Sequence, residues 1–555
     1  MKVALWALPF ALALPASAQT ALIREGDPAP SGIPGQIVEF IGNTNVNESG
    51  GFAARLTIDD QGATINQIWG TFDGTAPTIL RTESTFGTLE QVNIESFFGI
   101  SSGTVVYSAA FQDPIGAMTM DSIWVDDTMI AVQDTQAPGS ASYILNTERP
   151  DVTENGLPYF VSNTSTTLSG TTQGRALLFG ASPTTLIETG DLLPNLPFVL
   201  DSLAVSTDYR FSALGTHYII EVDLDTQSAM DAAMTIDGAG LMLGGTLVQE
   251  SVAIPTSVGG NGAENWDNFD FVGITDTGEY FFTGDTDGDS SNDEFIVRNG
   301  VIWAREGDTL DGEVLTGSIE SASINEAGEI AFIWDVVEGA GDVEALFRED
   351  TLLLKEGDEV DWDGDGVLDA GVVVTNFTGI STMTIGGDGS VYFTADVDAN
   401  GSTLEGFFVF GPDGAGTNFC MANPNVSGGP AVMSSTGSAS IADNNLVLTC
   451  SGMPTSVFAF FIVSETQGFV ANPGGSFGNL CLSGSIGRTV GGSILNTGPS
   501  GSASANVDWT ALPQPSGTVA AMAGETWNFQ CWMRDMNSMG LAGSNFSDGY
   551  AVIVE

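Results

Sequence analysis

The sequence predicts an all-β protein: a seven-bladed β-propeller over residues 19–411 and a jelly-roll-like β-sandwich over residues 418–555. Three observations predict it. A unit of roughly 50–60 residues recurs seven times, as repeat architectures do. Apolar residues alternate over short runs between glycine-rich turns, which is the pattern of strands rather than helices. Composition and cysteine usage both change near residue 412.

The repeated unit has two signatures. The first, Asn-x-x-Gly-x-x-Ala-Phe, is cleanest at residues 325–332. The second, Arg-Glu-Gly-Asp, stands at 24–27 and 305–308, with Lys first at 355–358 and a degenerate copy at 188–191. The turn glycine of the first signature can be placed at Gly50, Gly103, Gly156, Gly215, Gly278, Gly328 and Gly389.

The physical reason for these residue types is the turn itself. Asn, Asp or Thr three residues before the glycine can hydrogen bond back to the backbone, and glycine tolerates positive φ. About four short strands per unit match one propeller blade, and a closed ring of blades leaves no long exposed sheet edge. A row of small separate sandwiches is the alternative architecture.

The charge excludes some classes of partner. The chain has 70 acidic and 13 basic residues, a net charge of −57. Such a surface repels nucleic acid and anionic membranes, and it suits either divalent cations or a salty medium. From residue 412 onward there are only eight acidic and two basic residues, but all four cysteines. This change predicts a domain boundary, with 412–417 as the linker.

The first 18 residues read as a secretory signal peptide. Lys2 precedes an apolar run, and Ala16-Ser17-Ala18 is a small-x-small cleavage site. No later apolar run approaches the ~20 residues that a membrane-spanning helix needs, so no membrane insertion is expected. The prediction is an exported protein, extracellular or on the outer surface of a bacterium.

The sharpest chemical signal is the loop that begins at Asp361. Carboxylates at loop positions 1, 3, 5 and 9, glycine at 6 and a backbone carbonyl at 7 are typical of Ca²⁺ loops. Position 12 is Val372, so a further ligand has to come from elsewhere or from water. The predicted ligands are Asp361, Asp363, Asp365, Val367 and Asp369.

Weaker versions of this pattern occur in other repeats. One loop carries Asp285, Asp287, Asp289 and Asp293, with Ser290 at the glycine position, and another carries Asp396, Asp398 and Asn400. A fourth, with Asp223, Asp225 and Asp231, is better explained as a solvated acidic turn. For the second and third loops, calcium binding and a solvated acidic turn are both open. Calcium is the only cofactor that the sequence predicts.

Catalytic groups are scarce. His217 is the only histidine, so a catalytic triad or a histidine-bearing zinc site elsewhere is excluded. No phosphate-binding or dinucleotide-binding glycine motif is present. Paired carboxylates remain, as glycosidases use, but spacing cannot single out a pair among so many acids.

Two resemblances support this organisation. The Arg-Glu-Gly-Asp turn followed by NxxGxxAF resembles the tandem NxxGxxAF-repeat proteins of secreting bacteria, which are of unknown function. It covers seven units, is strict in three, and implies export without a catalytic residue. The segments at 478–488 (GNLCLSGSIGR), 509–515 (WTALPQP), 524–535 (GETWNFQCWMRD) and 544–550 (SNFSDGY) resemble a C-terminal module of secreted planctomycete and marine bacterial proteins. That module implies a part for display or attachment.

Four cysteines in an exported protein favour disulfides, and four allow three pairings. In the C-terminal module, cysteines like Cys420 and Cys481 are usual, whereas the positions of Cys450 and Cys531 are commonly small residues. The resemblance therefore implies the pairs Cys420–Cys481 and Cys450–Cys531.

Together these features predict an exported, calcium-stabilised, non-enzymatic protein that binds a glycan or a protein, or that attaches to a surface. Two alternatives stay open: a carboxylate-dependent glycan hydrolase on a propeller scaffold, and a self-assembling extracellular structural protein.

Overall fold

The structure is a computed structural model, and it falls into two compact units, Met1–Phe410 and Gly411–Glu555. The division lies beside the composition change near residue 412. The predicted signal peptide, residues 1–18, lies outside the described residues. The structure describes residues 19–554 except 31–32, 61, 73–76, 84, 87–88, 113–118, 205–207, 340, 364–367, 379–382, 400, 412–415, 421, 437–438, 440, 442–443, 445, 489–494, 499–500 and 537–541.

The described part of the first unit is built of antiparallel sheets that follow one another along the chain. Strand β1 (Thr20–Arg24) belongs to the last of them. Sheet 1 contains β2 (Gln36–Val46), β3 (Phe52–Asp60), β4 (Ala63–Thr71) and β5 (Thr78–Thr82). Sheet 2 contains β6 (Thr85–Phe86), β7 (Leu89–Ile100), β8 (Val105–Gln112), β9 (Thr119–Val125) and β10 (Thr128–Val132). Sheet 3 contains β11 (Tyr143–Val152), β12 (Pro158–Ser165), β13 (Gly174–Phe179) and β14 (Thr184–Glu188).

Sheets 4 to 7 continue this pattern. Sheet 4 contains β15 (Leu200–Leu203), β16 (Tyr209–Phe211), β17 (Tyr218–Leu224), β18 (Ala232–Ile236) and β19 (Ala239–Gly240), and a hairpin of β20 (Met242–Leu243) and β21 (Thr246–Leu247) follows. Sheet 5 contains β22 (Trp266–Ile274), β23 (Tyr280–Thr286), β24 (Phe295–Arg298) and β25 (Val301–Arg305). Sheet 6 contains β26 (Thr309–Leu310), β27 (Glu313–Ile324), β28 (Ile330–Glu338), β29 (Gly341–Arg348) and β30 (Thr351–Lys355). Sheet 7 contains β31 (Val372–Phe377), β32 (Met383–Ile385), β33 (Val391–Ala399) and β34 (Ser402–Phe410).

One strand from each of these sheets contacts a strand of the next sheet, and together these strands form a closed series. Strand β2 contacts β7, β7 contacts β11, β16 contacts β22, β22 contacts β27, and β27 contacts β32, which returns to β2. Between β11 and β16 the Tyr209 hydroxyl donates to the Arg149 carbonyl over 2.5 Å. The chain start completes the last sheet, because β1 pairs antiparallel with β34. Apolar residues of neighbouring sheets pack between them; Leu56 of β3 in sheet 1, for example, lies in one cluster with Phe407 of β34 in sheet 7.

The NxxG turns have the geometry that their residue types predict. Gly328 has φ 82°, and the Asn325 carboxamide oxygen accepts the Glu329 amide at 2.9 Å. Six of the seven predicted turn glycines have positive φ; Gly103 does not. The asparagine has a second role, because its Nδ2 donates to Gly386 O of the next sheet at 3.0 Å. Asn47 makes the equivalent contact with Ser101 O.

The charged turns share one geometry as well. The aspartate of each turn accepts the amide of the residue three positions earlier, in the pairs Arg24–Asp27, Glu188–Asp191, Arg305–Asp308 and Lys355–Asp358. Sheets 2 and 4 keep the geometry of this turn although they lack the Arg-Glu-Gly-Asp sequence. Asp134 (φ 65°) and Ser251 (φ 61°) take the glycine position in sheets 2 and 4.

The second unit is also built of strands. Its largest sheet has the order β35-β47-β46-β38-β41, with β42 also on β38, and a smaller sheet has the order β36-β37-β43. The hairpins are β39-β40 and β44-β45. The strands are β35 (Gly416–Phe419), β36 (Val432–Thr436), β37 (Val447–Ser451), β38 (Phe458–Ser464), β39 (Thr466–Ala471), β40 (Asn479–Ser483), β41 (Gly487–Arg488), β42 (Leu495–Asn496), β43 (Ala503–Asn506), β44 (Leu512–Gln514), β45 (Gly517–Val519), β46 (Thr526–Met536) and β47 (Ala542–Ile553).

One apolar core joins the two larger sheets of this unit. Trp509 and Trp527 are buried in it, whereas Trp532 is half-buried. A 3₁₀ turn at Pro473–Gly475 is the helical element among the described residues. None of their helices is long and apolar enough to cross a membrane.

Candidate functional sites

The Asp361 loop brings three of its predicted ligands together. Carboxylate oxygens of Asp361, Asp363 and Asp369 lie within 4.8 Å of one another, and among the described residues no other set of three acids, cysteines or histidines does so. Asp369 Oδ2 accepts the amides of Trp362 and Asp363 at 2.9 and 3.1 Å, which folds the loop around it. Asp361 is buried and Asp363 exposed, so the group lies at the surface with one carboxylate beneath. Asp365 and Val367 lie outside the described residues.

The second loop does not gather its acids in this way. Asp287 accepts both the Asn265 amide and its Nδ2 at 2.7 Å, and Asp289 accepts the Ser291 amide and hydroxyl. The Asp293 amide donates a hydrogen bond to Glu306 Oε2 at 3.3 Å. Asp285 instead hydrogen bonds to Glu294. These partners hold the loop without bringing its acids into one group.

In the third loop, Asp398 caps a hairpin turn by accepting the Gly401 amide at 2.6 Å. Asp396 lies across from Glu405 in the neighbouring strand. Asn400 lies outside the described residues. Asp396 and Glu405 instead line a second cavity between the first and last sheets, together with Glu25.

Sheets 5, 6 and 7 each carry a feature that the sequence did not reveal, a row of three acids on adjacent strands. Asp335 faces Glu344, whose carbonyl accepts the Glu356 amide at 3.0 Å. Asp285, Glu294 and Glu306 form the equivalent row of sheet 5, and Asp396, Glu405 and Glu25 that of sheet 7. We call these the carboxylate rows. The last member of each row is the glutamate of the charged turn, for which the sequence alone predicts no role.

The carboxylate rows lie where like charges oppose each other and solvent is partly excluded. Burial, together with the charges of Glu356, Glu320 and Asp335, raises the pKa of Glu344 to about 7. Burial and the charges of Asp396 and Glu25 raise the pKa of Glu405 to about 7. Burial and Asp285 raise the pKa of Glu294 to about 10. Directly opposed like charges destabilise a sheet, so these rows need a compensating role.

In sheets 6 and 7 the middle glutamate of the row has such a role, because it satisfies a backbone donor in the neighbouring sheet. Strands β31 and β2 are edge strands of sheets 7 and 1, so amides on their outer side have no partner in the ladder. Glu344 accepts the amide of Phe377 in sheet 7 at 2.6 Å, and Glu405 accepts that of Ile41 in sheet 1 at 2.7 Å. A buried amide without a partner costs about 1–3 kcal/mol, so each carboxylate joins two sheets at an otherwise costly point.

An axial cavity of about 170 Å³ is lined by one strand from each of the seven sheets. Inside it the Tyr159 hydroxyl donates to Asp151 Oδ2 at 3.1 Å, and Arg210 Nη1 lies 3.5 Å from the same oxygen. Burial raises the pKa of Asp151 although Arg210 opposes this. The lining of the axial cavity includes Asn45, Phe98, Asp151, Arg210, Gly273, Ser323 and Thr384.

Carboxylates of the NxxG turns meet at one end of this cavity. Glu154 of sheet 3 accepts the Glu48 amide of sheet 1 at 2.6 Å. Glu326 of sheet 6 accepts the Ala213 and Asp276 amides of sheets 4 and 5 at 2.8 Å. Burial and the charge of Glu326 raise the pKa of Glu48 to about 7. These acids tie turns of different sheets together across the axis.

The single histidine lies apart from the axial cavity lining. His217 Nδ1 lies 2.7 Å from Asp237 Oδ2, and its amide donates to the Ser212 hydroxyl at 3.1 Å. The contacts bind one turn to the next within sheet 4.

The cysteines of the second unit confirm one predicted bridge. Cys420 and Cys481 are joined by a disulfide. The predicted Cys450–Cys531 bridge is not formed, and both residues are buried free thiols. They lie on opposing sheets of one core, and a hydrogen bond with Cys531, along with burial, holds the pKa of the Cys450 thiol well above its usual range.

The fold class is thus nearly all-β, and the sites described above are built mainly of carboxylates. The chain belongs to a family of unknown function, DUF7453, whose model matches residues 101–421, more than half of the sequence. No curated protein matches the sequence.

Several solved structures are distantly similar. A prolyl endopeptidase is 11% identical with a TM-score of 0.35, over 75% of this chain and 56% of that one. The Dos1 propeller is 10% identical with a TM-score of 0.29, over 67% of this chain and 94% of that one. An acylaminoacyl peptidase of Pyrococcus horikoshii is 10% identical with a TM-score of 0.33, over 75% and 59%. This chain spans little more than half the length of either peptidase. At these TM-scores the likenesses carry no argument about activity.

Proposed function

We propose that this is an exported, calcium-stabilised, non-enzymatic binding or surface-attachment protein. Its first unit is a seven-bladed β-propeller and its second a jelly-roll-like β-sandwich. The observation that carries the proposal is the closed series of contacts between strands of seven sheets, the last of which is completed by the pairing of β1 with β34. Such a ring is a rigid scaffold whose turns are free to display a binding face.

The non-enzymatic part of the proposal is supported by how the notable acids are used. Glu344, Glu405 and Glu326 accept backbone amides of neighbouring sheets. A carboxylate committed to the scaffold in this way is poorly placed to protonate a substrate, because a general acid needs hydrogen-bond reach to the reacting atom.

A screen of the full chain against polysaccharides tests this proposal. We expect retention of the protein on a glycan or protein ligand without release of shortened chains. Measured turnover of any polysaccharide that is abolished by a single Asp or Glu substitution would instead place the protein among the glycan hydrolases. Filaments or sheets in electron micrographs of the purified protein would favour self-assembly.

Calcium binding at the Asp361 loop is the metal part of the proposal. Three carboxylates close together, one of them buried, are costly without a cation, and hard oxygen ligands are what Ca²⁺ prefers. A cation that binds only the folded state adds about 2.7 kcal/mol of stability at a concentration 100 times its Kd.

Chelation should therefore lower the melting temperature of the first unit. We expect EDTA to shift the wild-type transition down and Asp363→Asn to remove most of that shift. Asp127→Asn, which alters an acid whose side chain is 72% exposed, is the matched control and should respond like wild type. Identical melting curves with and without chelator would leave only an acidic turn at this loop.

A further inference from the structure

The second unit has two basic residues, Arg488 and Arg534, and both lie on the same face of its largest sheet. Arg488 lies over the Phe460 ring, 5.6 Å from its centroid, and Arg534 lies over the Trp532 ring at 5.4 Å. The two rings stack on each other at 4.8 Å with their planes 23° apart. The four groups therefore form one continuous row, and the rings hold each guanidinium in place by cation–π contact.

Both guanidinium groups are exposed, and neither contacts a carboxylate among the described residues. The second unit does contain acids that could have formed ion pairs with these arginines. Asp535 directly follows Arg534, but it is buried and accepts the Val426 amide at 3.0 Å and Asn545 Nδ2 at 3.0 Å instead. The only positive charges of an acidic unit are thus fixed and turned to solvent.

The face around them is partly apolar and has a clear limit. Phe458 is 60% exposed and lies one residue before Ala459, which pairs with Met533, so Phe458 stands across from Arg534. Toward the other end of the strands the hairpin β39-β40 covers the face. There the Gln530 side chain accepts the Cys481 amide at 2.9 Å. The open part is a patch that contains Phe458, Phe460, Arg488, Trp532 and Arg534, which we call the arginine patch.

We propose that the arginine patch binds an anionic polysaccharide, with Arg488 and Arg534 pairing with its acid groups and Phe458 packing on a sugar ring. This inference rests on the proposed binding function and names its ligand class. Guanidinium groups form paired hydrogen bonds with carboxylate or sulfate, and an exposed aromatic ring offers apolar area to the C–H face of a sugar.

Charge across the molecule is compatible with this ligand. The second unit carries only eight of the 70 acidic residues, so a polyanion meets the least repulsion there. At about 0.15 M salt, repulsion from more distant acids is screened beyond roughly 8 Å. Contacts at the patch itself are shorter than this screening length.

The experiment compares retention of the full chain by polygalacturonate, by sulfated carrageenan and by neutral pullulan in affinity electrophoresis. We expect binding to one or both anionic polymers and not to pullulan, and the two anionic arms separate carboxylate from sulfate as the recognised group. Arg488→Gln with Arg534→Gln should weaken binding roughly tenfold for each arginine lost. Phe458→Ala should weaken it without changing its dependence on salt.

The matched control is Arg24→Gln with Lys355→Gln, which removes two positive charges from the first unit and should bind like wild type. Thermal unfolding checks that each variant is folded. Unchanged affinity of the double arginine variant would overturn the assignment of the patch while leaving the proposed function intact. Retention by none of the three polymers would overturn it as well, and cleavage of one of them would overturn the proposed function. If the wild-type protein self-associates with rising concentration and the double arginine variant does not, the arginine patch binds a second copy of the chain and not a polysaccharide.

Discussion

The free energy of unfolding of the first unit should fall as the pH rises from about 4.5 to about 7. In the folded state the pKa of Glu48, Glu344 and Glu405 is raised to about 7, against 4.5 for an ordinary glutamate. A group whose pKa is raised on folding stabilises the folded state below its unfolded pKa, and this contribution is lost as the pH passes the folded value. Chemical unfolding in a series of buffers measures it.

Glu344→Gln isolates one member of this set. The variant keeps a side-chain acceptor for the Phe377 amide but cannot acquire the opposed charge. We expect it to be more stable than wild type at pH 8 by about 2 kcal/mol, roughly half the unscreened value for this shift, and nearly equal to it at pH 4.5. Glu39→Gln, at an exposed position in sheet 1, is the control. A variant that follows the wild-type pH profile throughout would remove the carboxylate row as the cause.

Loss of the Cys420–Cys481 bridge should destabilise the second unit by about 4 kcal/mol. The bridge closes a loop with a sequence separation of 61, and the chain-entropy model gives this value for a loop of that length. Cys420→Ser with Cys481→Ser should therefore lower the unfolding midpoint of the second unit and leave that of the first unit in place. Denaturant unfolding followed by tryptophan fluorescence measures both transitions.

Cys450→Ala is the informative comparison for that experiment. As a free buried thiol, Cys450 should cost only about 1 kcal/mol when it is truncated to alanine. A loss near 4 kcal/mol would mean that Cys450 and Cys531 are bonded in the protein, as the resemblance to the C-terminal module implied. Peptide mapping without reduction would then find the second bridge directly.

Local signals made much of this fold predictable. Gly328 and Asn325 define a turn for two reasons that can be read from the sequence. Glycine tolerates the positive φ of the turn, and the asparagine side chain accepts the amide of the residue four positions later. The Cys420–Cys481 bridge was predictable only through resemblance, since four cysteines alone leave three pairings.

The carboxylate rows could not be found in this way. Asp335, Glu344 and Glu356 are separated by loops, and only strand register places them side by side. The amide of Phe377, which gives Glu344 its role, lies at the end of β31 in a different sheet. The charged turn at Asp134 could not be predicted either. There the backbone geometry of the turn is kept, but an aspartate stands where the sequence signature has glycine.

The arginine patch illustrates a third limit. The sequence shows two arginines and many aromatic residues in the second unit, but not that Phe460 and Trp532 stack between Arg488 and Arg534. Cross-strand stacking of this kind depends on which face of β38 and β46 points outward, and a shift of one residue in register would bury the arginines in the core.

The pairing of β1 with β34 has a consequence for how the first unit is made. Arg24 pairs with Gly406, so the contact that completes the last sheet joins residues almost at the two ends of the unit. During synthesis, sheets 1 to 6 can form in order as they emerge. Sheet 7 is incomplete until residue 410 has been synthesised and β1 pairs with β34. Contacts so distant in sequence slow folding and prolong the exposure of unpaired strand edges. Sheet 7 should therefore be the slowest-forming sheet of the first unit, and the period before β1 pairs with β34 is when this unit is most prone to aggregate.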